Sequence, residues 1–395
     1  MKNQKIFYAF LWIFLIAVVI FVGINKEEEE ILTQSETSEQ VQAEISTQAQ
    51  ELSEEIEESE MQGVWISYIS LDNSSGDEAS FKENFLSYVQ TAKENGLTDL
   101  FVHIRAFSDA LYPSDYYPWS HLLTGTQGQD PNFDPLEFMI EATHEAGLKF
   151  HAWINPMRVS LSSIPSELSE DNPYSIYSGE NPYYFFEKDG AIYINPAYSE
   201  MRSLIANGVA EIVENYDVDG IHFDDYFYPS DMGDLDSSSY DMYCQTSISP
   251  ISIEEWREAN INTMIAQVYR TIKNIDESVV FGISPQGNNS NNISLGANVE
   301  TWCSTYGYID YICPQIYFSY ENPTLGFSEC LDFWTNLYRL DCIDLYIGLG
   351  LYKLGTDADS GTWLEDDDII EKQKIDSLEE ADGYILYEIS NINNN

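Results

Sequence analysis

The stretch YDVDGIHFDDYFYP, residues 216–229, decides how the rest of the chain is read. Within it, Ile221 and Phe223 alternate with His222 and Asp224, the period of a strand with one apolar and one polar face. A strand inside a barrel has a helix-covered side and an inner side, so this parity sends Ile221 and Phe223 outward and His222 and Asp224 inward. Asp225 has the opposite parity and enters the same space only if the chain bends at the strand's end. Three aromatics follow at once, so the segment is either a solvated turn or the floor of a site.

Outward from this strand the texture repeats. Strand-like runs fall at 63–70, 99–107, 149–155, 220–226, 279–285, 308–317, 344–352 and 383–390. Helical patterns fit between them, at about 81–96, 134–147, 199–215, 254–274, 297–306, 325–340 and 365–378. Strands alternating with helices imply parallel pairing through right-handed crossovers, and eight such units close a (β/α)8 TIM barrel. An open doubly wound sheet is the rival, but ISYISLDNSSG after the first strand lacks the glycine spacing of a phosphate-binding turn.

Parity applied to every strand brings polar groups together at the carboxyl ends, where this fold builds its sites. His103 and Arg105 point inward from the second strand, Trp153 and Asn155 from the third, Ser284 from the fifth, and Gln315 and Tyr317 from the sixth. Aromatic-rich loops, ALYPSDYYPWS, NPYYFF, DDYFYP and QIYFSY, surround the same end. Such rings either stack on sugars or pack as a secondary core. Beside carboxylates, a sugar site is the sharper expectation.

Glycoside hydrolysis needs two carboxyl groups, one to protonate the leaving oxygen and one to act as nucleophile or activate water. Asp224 supplies one, beside His222 and Arg105, whose positive or donor character favours its ionised form. Asp225 and Asp109 are the leading candidates for the second, with Glu321 and Glu388 behind them. Two readings compete with hydrolysis: a catalytically silent carbohydrate-binding barrel, and a metal-dependent polysaccharide deacetylase using Asp224, Asp225 and histidines. No H-x-x-x-H or H-E-x-x-H spacing supports the deacetylase, and neither a metal nor another cofactor is expected.

Composition narrows the partners. The formal charge of −50, from 17 basic and 67 acidic residues, argues against nucleic acid, because phosphate binding works through Lys and Arg. The 5 cysteines form no C-x-x-C pair; Cys303 with Cys313, or Cys330 with Cys342, are the disulfides an extracellular domain would allow. At the N-terminus, Lys2 and Lys5 precede an apolar run of about 19 residues, long enough for a hydrocarbon core of about 30 Å. Residues 1–25 therefore read as a single-pass anchor, or a signal peptide if cleaved, with everything beyond it extracellular. Residues 26–60 are Glu-, Gln-, Ser- and Thr-rich without an aromatic, an acidic disordered linker. Residues 61–395 form the catalytic barrel.

Seven ordered motifs, GVWISY, HIRAFSDALYPSDYYPWS, GLKFHAWINPMRVS, VDGIHFDDYFYP, EEWREANIN, FGISPQG and DYICPQIYF, resemble the glycosyl-hydrolase-like 10 family of exported bacterial barrels over about residues 63–390. The resemblance implies hydrolysis of glycosidic bonds in a cell-wall, peptidoglycan-like or related polysaccharide. It places characteristic positions on Arg105, Asp109, Asn155, Arg158, Asp224, Asp225, Tyr226, Asn260, Ser284 and Gln315. Two departures stand out: QGNNSNN replaces an aromatic and a basic residue after the fifth strand, and Glu258 sits where an arginine is common. DGIHFD also resembles the fourth strand of α-amylase-like barrels, which implies a nucleophile at Asp224; the fifth-strand acid of those enzymes has no counterpart in VVFGISP.

Overall fold

Backbone pairing follows the alternation read from the sequence. In the computed structural model, which describes residues 60–394 apart from Tyr226, the parallel strands are β1 (Met61–Ile66), β2 (Asp99–Arg105), β3 (Lys149–Ile154), β4 (Gly220–Phe223) and β5 (Val280–Ile283). β6 comes as two runs, Tyr311–Ile312 and Gln315–Ile316; β7 likewise, Asp344–Leu345 and Ile347–Leu349; β8 is Gly383–Leu386. Pro314 lies in the gap of β6, where it has no N–H to give to a ladder. These runs make one 10-stranded parallel sheet. The first runs of β6 and β7 pair through Tyr311 and Asp344, the second through Gln315 and Gly348, and β8 pairs with both β7 and β1. The sheet therefore curls until its two ends meet, the arrangement of an α/β barrel.

The helices between strands start and stop on local signals. α1 (Glu78–Glu94) opens with a capping box in which Asp77 accepts from Ser80 N, and it buries Phe81, Phe85, Val89 and Ala92 on one stripe. α2 (Pro135–Glu145) has Pro135 in its first turn and Asp134 accepting from Leu136 N and Glu137 N. α3 (Ser199–Asn215), α4 (Ile253–Ile275), α5 (Val299–Ser304), α6 (Phe327–Asn336) and α7 (Ile369–Glu380) complete the layer. Their apolar stripes pack on the outward strand residues, Leu100, Val102, Ile221, Phe223, Phe281 and Ile283 among them. Each large side chain so buried contributes about 1.5–3 kcal/mol.

A second cluster fills the barrel itself: Trp65, Phe101, Trp153, Tyr311, Cys313, Tyr346 and Ile385. Rings of this size fit because glycines face them. A Cβ on Gly282 would stand 2.1 Å from the Tyr311 ring, and one on Gly220 would stand 2.3 Å from His151 Nδ1. At the amino end of the barrel, His151 Nε2 is 2.8 Å from Asp99 Oδ1, and His151 stacks on Phe101 at 4.3 Å.

Three expectations are corrected or relocated here. Between β3 and α3 the chain adds an antiparallel sheet that the sequence reading left as loop, in which Ala191–Ile194 lies between Arg158–Ser160 and Phe185–Lys188. All 5 cysteines are free thiols, so neither suggested disulfide forms. The anchor and most of the acidic linker lie outside the described residues; among the described residues no helix is long and apolar enough to cross a membrane.

Candidate active site

The strand β4 ends at Phe223, earlier than its pattern suggests, and this early end shapes the site. Asp224 and Asp225 belong to the bend that follows, so strand parity does not separate them. Both line a cavity of about 400 Å³ at the carboxyl end of the barrel, within the size range of ligand sites. Ser284, Gln286, Gln315 and Lys353 supply its other polar walls, and Trp65, Trp153, Tyr317, Phe318, Tyr352 and Tyr387 its rings.

The two carboxyls have different surroundings. Asp224, 2% exposed, accepts the Trp153 indole N–H on Oδ2 at 3.2 Å. Asp225, 9% exposed, accepts from Gln315 Nε2 on Oδ1 at 3.3 Å and from Gln286 Nε2 on Oδ2. Burial pushes the Asp225 carboxyl above the usual aspartate value; the Gln286 and Gln315 hydrogen bonds and the more distant Arg158 guanidinium pull back without cancelling it. Neutral amides thus face this acid where a cation would have kept it ionised.

Among the expected contact residues, Trp153, Ser284, Gln315 and Tyr317 line the cavity as the sequence indicates. His222 lies beneath it, fully buried, with Nε2 accepting the Trp65 indole N–H at 3.2 Å, Ser284 Oγ 3.0 Å from the same nitrogen, and Nδ1 2.8 Å from the Tyr311 hydroxyl. Burial, with His151 adding to it, holds this imidazole well below its ordinary value. His222 therefore brings no positive charge of its own to the site. His103 is also buried and stacks on Trp153 at 3.8 Å, backing the indole that reaches Asp224. Asn155 Nδ2 and Arg158 Nε both donate to Ala106 O at 3.0 Å, and the Arg158 guanidinium lies 5.1 Å from the Phe107 ring. Tyr226 lies outside the described residues.

Arg105 is the clear correction. The β2–β3 register shifts between His103 and Arg105, a bulge that reverses the side to which the strand's end points. Arg105 consequently faces the helix layer, its guanidinium 4.3 Å from the Tyr117 ring and its Nη1 donating to the Tyr112 hydroxyl at 3.3 Å, close against Gly208 of α3. Asp109 is likewise held away from the cavity walls, with Oδ2 2.9 Å from His121 Nδ1 and accepting from Gln127 Nε2 at 3.0 Å. Glu388 is taken up by Ser70 and Ser390, whose hydroxyls donate to it at 2.9 and 2.7 Å, and Glu321 is exposed.

With that geometry in view, residues 60–364 match the family described as Glycosyl hydrolase-like 10. The chain belongs to this family. It is similar to the glycosyl hydrolase YngK of Bacillus subtilis (strain 168), 34% identical over 360 residues that cover 85% of this chain and 69% of that protein. Similarity extends to the glycosyl hydrolase DigH of Escherichia coli (strain K12), 30% identical over 365 residues, 83% of this chain and 82% of the relative. Among solved structures, the PgaB (BpsB) glycoside hydrolase domain from Bordetella bronchiseptica superposes with a TM-score of 0.60 over 84% of this chain and 95% of that one. At 11% identity that likeness concerns the fold alone.

Within this glycosyl hydrolase-like frame, the unusual QGNNSNN loop proves to be part of the site. Asn292 Oδ1 accepts from Gln286 N, and Asn292 Nδ2 donates to Gln286 O, both at 2.9 Å, so a fully buried amide clamps the residue that binds Asp225. Gln286 and Lys353 are cavity residues the sequence reading missed, and both lie past strand ends, where periodicity is silent; Tyr352, which parity on the seventh strand turns inward, lines the cavity beside Phe318. Trp65 and Tyr387 were also missed, although parity on their strands puts both inward. The aromatic loops divide: QIYFSY lines the cavity through Tyr317 and Phe318, while Phe186 stacks on Tyr228 at 5.9 Å and Phe227 packs on Trp302 at 5.6 Å as secondary core. Among the described residues no three His, Cys, Asp or Glu side chains are grouped to hold a metal ion, so the deacetylase reading finds no ligand set there.

Proposed function

We propose that this barrel hydrolyses glycosidic bonds with Asp225 as the acid and Asp224 as the second carboxylate. The observation that carries the reading is the pairing of two buried carboxyls in one aromatic-walled cavity, with Asp225 raised by its burial. A carboxyl raised by burial holds its proton to higher pH than an exposed one, which suits it to protonate the departing glycosidic oxygen. Asp224, oriented by Trp153, attacks the anomeric carbon or takes the proton of the water that does so. The rings of Trp65, Tyr317 and Tyr387 offer flat apolar surfaces to the C–H faces of sugars, while Gln286, Gln315 and Ser284 offer hydrogen bonds to hydroxyls. Asp109, enclosed by His121 and Gln127, holds its loop in this scheme and does not transfer protons.

The substrate in this reading is a bacterial cell-wall glycan strand of the peptidoglycan type, or a related envelope polysaccharide, approached by an enzyme held on the outer face of the cell membrane. The apolar run behind Lys2 and Lys5 supports the location. Membership of the glycosyl hydrolase-like family supports the bond class. Incubating the protein with peptide-free glycan strands and counting new reducing ends tests it. The parent should release them and Asp224→Asn should not; binding without turnover in the parent would instead favour the silent carbohydrate-binding barrel.

A further inference from the structure

His222 uses both ring nitrogens without touching the cavity, and the donors around it determine its tautomer. An indole nitrogen can only donate, so the 3.2 Å contact from Trp65 Nε1 requires a lone pair on His222 Nε2. The single imidazole proton then sits on Nδ1 and is given to the Tyr311 hydroxyl at 2.8 Å. Ser284 Oγ, 3.0 Å from Nε2, becomes a second donor to the same lone pair. From Ser284 the connection continues upward: its carbonyl accepts Gln315 Nε2 at 2.9 Å, and that amide also donates to Asp225 Oδ1 at 3.3 Å. Trp65, on the other arm, turns its rings toward Tyr387 and Tyr317 at 6.1 and 6.5 Å across the cavity wall.

We infer that His222 is a positioning residue: its Nδ1-protonated form offers Nε2 as a shared acceptor that fixes Trp65 and Ser284, and through Ser284 and Gln315 the Asp225 carboxyl. This rests on the reading of Asp225 as the acid. The other protonation pattern, with hydrogen on Nε2, would set donor against donor at Trp65 and leave the indole without an acceptor, which a buried site tolerates poorly. A purely space-filling role would need the ring's shape alone; this role needs an acceptor at one atom.

The test has two independent arms. In protein labelled with 15N-histidine, the His222 signals, identified by their loss in His222→Gln, should show a protonated Nδ1 and a bare Nε2 at neutral pH. A protonated Nε2 overturns the inference whether or not the protein cleaves glycans. In the kinetic arm, His222→Phe keeps the ring and removes the acceptor. Its kcat should fall about 100-fold, with KM changed less than about threefold. His222→Gln, whose amide oxygen can stand in for Nε2, should recover kcat to within about tenfold of the parent. Equal loss in both variants, or full activity in His222→Phe, overturns it. Should the parent release no reducing ends, the hydrolase reading fails by itself, and the tautomer observed in the first arm alone decides this one.

Discussion

The two ends of the barrel use the same residue types to opposite effect. At the amino end, Asp99 is 2% exposed and 2.8 Å from His151. Burial raises the cost of its charge, yet the His151 contact outweighs it and the carboxyl lies below the ordinary value. At the carboxyl end, Asp225 is comparably buried but meets amides, and its carboxyl lies above. A folded-state value below the unfolded one adds stability above the unfolded pKa, which is lost as pH falls through the folded value. A raised value does the reverse: stability declines as pH climbs from the unfolded pKa through the folded one. One end therefore strengthens the fold above the ordinary carboxylate range, and the other weakens it there in exchange for a carboxyl that gives up its proton less readily.

Several substitutions break or sharpen this contrast. The largest effect belongs to Asp225→Asn, expected to lower turnover of glycan strands by about 10²–10⁴-fold. The same variant should unfold at a slightly higher temperature at neutral pH, by roughly 2 °C, as read by calorimetry, because no buried charge needs accommodating. Trp153→Phe keeps the stacking surface but removes the N–H given to Asp224. A hydrogen bond to a charged group is worth about 1.5–3 kcal/mol, so kcat/KM should fall about 10- to 100-fold. Asp99→Asn should do the opposite of Asp225→Asn, with stability to denaturant lower by about 1–3 kcal/mol and kcat unchanged. Gln286→Leu gives the subtlest change. Its hydrogen bond works to lower the Asp225 value, so its loss should move the alkaline limb of the kcat/KM profile to higher pH.

Much of the barrel was legible because its signals are local and periodic. Helix α3 occupies residues 199–215, as its pattern indicates, and parity correctly sent His222, Trp153 and Gln315 inward. The failures have equally local causes. Arg105 was lost to a bulge, which changes parity without changing composition. Asp225 enters the cavity by the bend its parity requires, because the strand stops two residues before it. Gln286 and Lys353 lie in connections whose course is set by tertiary packing, such as the Asn292 clamp. One missed feature did carry a signal: Asp189 and Gly190, with φ of 53° and 81°, are the Asp-Gly turn of a tight hairpin between Phe185–Lys188 and Ala191–Ile194.

The sharpest single measurement compares two leaving groups. A general acid is needed when the departing oxygen is poorly stabilised as an anion, and is dispensable when the departing group is an acidic phenol. Compared by kcat/KM on an aryl glycoside with a dinitrophenyl leaving group and on a peptide-free glycan strand, Asp225→Asn should be nearly as active as the parent on the first and crippled on the second. Equal losses on both substrates would contradict Asp225 as the proton donor, and with it the account of why this barrel leaves an acid buried among amides.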